Sequence, residues 1–154
     1  MKRNYKPKKN YDLNSAFGEN EMPLLFLVPL VQVAWAHGAI SPRERQLIFE
    51  AARIEGIDGR DALNDVLADW LLNQPGQKFF NDCLQLINEK LTQMTVKERN
   101  QRKASILDYG KRVAAAAGGK SLMDINHDIS EEEQATLNEI SEMMNHRPRQ
   151  STFA

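Results

Sequence analysis

Three times in 154 residues the chain places Ser or Thr three positions ahead of Glu at the head of an amphipathic run: Ser41 and Glu44, Thr95 and Glu98, Ser130 and Glu133. The spacing matters because a helix start leaves backbone N–H groups without intrahelical partners. The hydroxyl accepts from one of them, and the Glu three residues on reaches back to another. Pro42 follows the first of these caps, at the one helical position where a missing N–H costs nothing. No segment sustains period-two alternation. A chain that signals helix starts so often and strands nowhere is expected to be all-α, a single-domain bundle of six to seven helices.

The apolar positions support this element by element. Leu47, Ile48, Ala51 and Ala52 share one face of the helix opened by Ser41, and Gly56 is placed to end it. Asp58 is expected to cap a helix carrying Ala62, Leu63, Val66, Leu67, Trp70 and Leu71, which Asn73-Gln74-Pro75-Gly76 breaks. Phe79, Phe80, Cys83, Leu84, Ile87, Leu91 and Met94 line the next. The helix after Thr95 is long and basic, with Ala104, Leu107, Val113, Ala114 and Ala117 inward and Lys97, Arg99, Arg102, Lys103, Lys111 and Arg112 mostly outward, stopped by Gly118-Gly119. Leu137, Ile140 and Met144 face inward on the last. Residues 1–11, a basic arm, and 146–154 lack apolar periodicity and read as flexible tails around a helical domain at 12–145.

Composition narrows the function classes. Lys+Arg 20 against Asp+Glu 21 gives no strongly charged field. The lone Cys83 forms no internal disulfide, and on an apolar face it is a core residue, not a nucleophile. The apolar run Met22 to Ala36 is about 15 residues long and holds Pro23, Pro29 and Gln32, against the roughly 20 a spanning helix needs. Ala34-Trp35-Ala36 has the form of a leader cleavage site, but Glu19 and Glu21 stand where such a segment should be positive, so a core helix and a cytoplasmic location are expected.

The chain also echoes itself. An apolar Ala-rich helix, a Gly-containing loop and Ile-Ser-x-x-Glu occur at Val33 to Ala52 and again at Val113 to Ser141, with Ile40, Ser41 and Glu44 answering to Ile129, Ser130 and Glu133. Val33-Ala34-Trp35-Ala36-His37-Gly38-Ala39-Ile40-Ser41-Pro42-Arg43-Glu44 resembles the pattern of the tellurite-resistance TerB-like proteins, over roughly residues 22–145 in architecture. That resemblance implies two helix-loop-helix units in a pseudo-two-fold arrangement and a place in bacterial stress responses. His37 stands where the family has its first Asp, and Gly118-Gly119 replaces its second Asp-Gly, while Glu44 and Glu133 match its Glu positions. A metal- or anion-sensing role is implied only in part.

Residue chemistry offers several sites. Asp124, Asn126 and Asp128, with Glu133, space oxygen donors as a hard-cation loop does, although Ile129 and Ala135 replace the Gly and Glu of a full EF-hand. The simpler alternative is that Asp128 and Ser130 only cap a helix. His37 and Glu44 could share a metal if the loop between them folds back. A divalent cation (calcium, magnesium or zinc) is therefore the one cofactor considered, with His37, Glu44, Asp124, Asn126, Asp128 and Glu133 as its candidate ligands. The expectation is a non-catalytic TerB-like binding or sensing module with a protein partner; a homo-oligomer is a further option. One alternative is a metal-dependent enzyme using His37, Glu44 and carboxylates of the second repeat. The other is a binder of anionic surfaces, membrane before nucleic acid, through the basic arm.

Overall fold

In the computed structural model, residues 17–59, 61–117 and 129–145 are described. They form a 3-10 turn, Glu19–Glu21, and seven helices: α1 (Met22–Leu25), α2 (Val28–Trp35), α3 (Pro42–Ile54), α4 (Ala62–Leu72), α5 (Gln77–Thr92), α6 (Val96–Ala117) and α7 (Glu131–Asn145). No described residue lies in a strand. The basic arm, the tail, Gly118-Gly119 and the loop with Asp124, Asn126 and Asp128 fall outside the described residues.

The arrangement follows from α2. Val28 through Ala34, all apolar but Gln32, are buried, and a helix this apolar all round has to be surrounded. Helices α3, α5, α6 and α7 do so. Pro23 and Pro29 sit in the first turns of α1 and α2, where a missing N–H is harmless, and the chain steps between the two helices at Phe26 and Leu27. The run that is too short to cross a bilayer is thus the centre of the core, and no described helix is long and apolar enough to span a membrane.

Around it, each helix contributes one stripe. Ile48, Ala51 and Ala52 of α3, Cys83, Leu84, Ile87 and Leu91 of α5, and Leu137, Ile140 and Met144 of α7 are buried. Gly110 lets α6 approach α7, since a Cβ there would stand 2.8 Å from Leu137 Cδ2. Trp35 Nε1 donates to the Trp70 carbonyl at 2.9 Å, tying α2 to α4, and Trp70 stacks obliquely between Phe17 and Phe79. Burial pushes the Cys83 thiol up, as befits a core residue.

Local expectations fail in three places. The cap of α4 is Asp61, whose Oδ1 accepts from Leu63 N–H at 3.1 Å, not Asp58. Starting there keeps Gly59 out of the helix, where it would carry an entropic cost. Ala62 and Ala104 are exposed, and Ile106 is the residue α6 buries instead. Arg102 is not outward: it bonds Glu55 at 2.6 Å and lies 4.4 Å over the Phe26 ring. With Arg112 paired to Asp108 as well, part of the basic face is internally compensated.

Gly56 does end α3. Its φ is +96°, Ile57 N–H reaches the Ala52 carbonyl at 2.9 Å and Gly56 N–H the Arg53 carbonyl at 3.0 Å, the two bonds of a Schellman cap, with Ile57 buried beneath. A side chain at that φ is strained, so Gly56→Ala is expected to lower unfolding free energy by about 1–2 kcal/mol in urea titration.

Candidate metal centre

Two of the three Ser/Thr–Glu caps open helices whose buried stripe begins with the Glu itself. On α3 the sequence Glu44, Ile48, Ala51 runs down one face, and on α7 Glu133, Leu137, Ile140, Met144 does the same. The period that sends the apolar residues inward therefore carries both carboxylates inward with them. Glu44 is 0% and Glu133 1% exposed. Glu98, in the third cap, makes the same pair of bonds with Thr95 but is exposed.

Each buried carboxylate spends one oxygen on its cap. Ser41 N–H donates to Glu44 Oε1 at 2.7 Å, and Glu44 N–H to Ser41 Oγ at 3.2 Å. Ser130 N–H donates to Glu133 Oε1 at 3.0 Å, and Glu133 N–H to Ser130 Oγ at 3.1 Å. The other oxygen of each, Oε2, is buried and accepts no hydrogen bond. A buried acceptor left without a donor costs about 1–3 kcal/mol, and more when charged. Both glutamates carry such an oxygen.

His37 completes the group. Positive φ at Gly38 (+98°) turns the chain back just past the end of α2, so that His37 Nδ1 lies 3.6 Å from Glu133 Oε2. That is too long for a hydrogen bond. One ligand atom from each of His37, Glu44 and Glu133 lies within 4.8 Å of the others. The imidazole is a third exposed, so the group is open to solvent on that side alone among its three members. Burial pushes the Glu44 carboxyl above its ordinary value and the Glu133 charge adds to the rise; interactions with Ser41 and with His37 oppose it.

The structure thus brings together His37, Glu44 and Glu133 from the candidate ligands, while Asp124, Asn126 and Asp128 lie outside the described residues. The grouping of His37 with Glu133, residues far apart in the chain, is a tertiary fact. The one sequence signal that could have drawn attention to the two carboxylates, though not to their grouping, is a Glu in register with the apolar stripe of its own helix. Comparison with protein-family models, with characterised proteins and with solved structures returns no match.

Without bound cation, Glu44 should act against stability as pH rises. Its folded-state proton affinity exceeds that of the unfolded chain, so the folded protein holds the extra proton and the group's stabilising contribution is full below the ordinary carboxylate range and lost as pH climbs through the raised value. Glu44→Gln keeps an oxygen for the Ser41 N–H and removes the charge. In chelator-treated samples its melting temperature is expected to exceed that of the parent at pH 8, with the gap closing by pH 4.

Proposed function

We propose that the chain is a TerB-like binding or sensing module of a stress response, and that His37, Glu44 and Glu133 hold a divalent cation. The observation that carries the reading is that two buried Glu Oε2 atoms have no hydrogen-bond donor, on residues that with His37 place one ligand atom each within 4.8 Å of the others. An ion of charge +2 between two carboxylates and a neutral His gives a neutral site, and compensates the burial that raises the Glu44 carboxyl together with the smaller repulsion from Glu133. The ion would join the end of α2 and the start of α3 to the start of α7. Its binding is then readable as a tighter hold on the helix that follows the second loop, which is what a sensor needs. The duplicated Ile-Ser-x-x-Glu segments and the all-helical architecture support the family reading.

Titration of the metal-free protein with calcium, magnesium and zinc, followed by melting temperature, tests this. At 100 times its dissociation constant a single-site ligand contributes about 2.7 kcal/mol, which for a domain of this size is a rise of roughly 5–11 °C. At least one of the three ions is expected to produce it, and Glu133→Gln to abolish it while leaving the helical circular dichroism unchanged. A melting temperature unmoved by all three ions in the parent protein would overturn the proposal.

A further inference from the structure

We infer that the site selects a zinc-class transition ion, bound by three single donor atoms, and rejects calcium and magnesium. The inference rests on the cation reading above and adds the class of ion. It follows from the double duty of the two glutamates. A bidentate carboxylate must turn both oxygens to the ion, but Oε1 of Glu44 and of Glu133 each face the backbone N–H of their own helix cap, at 2.7 and 3.0 Å. Only the two Oε2 atoms remain free of hydrogen bonds. Among the described residues the group therefore offers two oxygens and one imidazole nitrogen.

Calcium needs six to eight oxygen ligands and takes a bidentate Glu where proteins bind it well. The two monodentate oxygens of the described residues fall far short of that. Magnesium keeps several of its waters, and with both carboxylates buried, 0% and 1% exposed, water reaches the group only past His37, which leaves too little room for such a shell. An imidazole in the set favours zinc and its neighbours over the hard cations. The geometry agrees: two ligands at zinc's bond lengths in a tetrahedron stand about 3.4 Å apart, and His37 Nδ1 is 3.6 Å from Glu133 Oε2. The remaining separations, at most 4.8 Å, close by small side-chain movements. The fourth position falls to water on the side where His37 is exposed, the three-ligand pattern of an open zinc site.

Calorimetry of the full-length protein with zinc, magnesium and calcium chlorides, and visible spectroscopy with cobalt(II) as a zinc substitute, form the test. Expected are one saturable zinc site, no competition from millimolar magnesium or calcium, and the intense visible bands of four-coordinate cobalt. His37→Ala, a change at a partly exposed position, should keep the fold and weaken zinc by more than the roughly 10–100-fold that loss of an outer-shell partner costs. Magnesium or calcium binding as tightly as zinc, or only the faint bands of six-coordinate cobalt, would overturn the selectivity while leaving the cation site standing. Absence of heat with every ion would remove both.

Discussion

The burial of α2 on all sides is the constraint on which everything else in this structure depends. Seven successive residues, Val28 to Ala34, are withdrawn from solvent, and no single partner helix can cover such a surface. At roughly 1.5–3 kcal/mol for each fully buried large apolar side chain, the incentive to surround it outweighs any local preference of the neighbours. Four helices must converge on it, and because α3 and α7 both pack there, their first turns meet near its C-terminal end. The candidate site is a by-product of that convergence: it lies where the central helix stops and two others begin.

The capping box is ordinarily a surface device, as at Thr95 and Glu98, with the carboxylate wet and the second oxygen solvated. At Ser41–Glu44 and Ser130–Glu133 the same local chemistry is carried into the interior. Helix N-termini suit carboxylates, since the aligned peptide dipoles favour negative charge there. Yet one N–H satisfies one oxygen, and the second is left over in each. A fold selected only for stability would place Gln or an apolar residue at either position. The two leftover oxygens are buried without a donor, on residues whose ligand atoms group with that of His37 within 4.8 Å of one another.

The residues differ in how much of this they disclose. Ser41-Pro42-Arg43-Glu44 announces its helix because the cap is a contact between positions three apart, and Gly56 announces its end because positive φ is a local demand. Asp58 and Asp61 are both competent caps, and choosing between them takes the cost of Gly59 in the first turn. Arg102 reads as solvated from its own helix; only the approach of Glu55 and Phe26 draws it inward. Glu133 sits in an acidic stretch, Glu131 to Glu133, and reads most simply as part of it, but α7's stripe separates it from its exposed neighbours. The candidate site was legible residue by residue, in His37, Glu44 and Glu133, and as a loose pairing of the two repeats, but not as a cluster.

By itself the sequence determined the helical class, the order of the helices, much of their punctuation and most of the buried stripes, because each depends on interactions within about four residues along the chain. Tertiary structure alone decided that α3 and α7 begin side by side, that two cap carboxylates lose contact with water, and that His37 meets a residue far along the chain. Those outcomes depend on how α2 is enclosed, which is a property of the packed whole, and no local pattern encodes the distance between atoms on different helices.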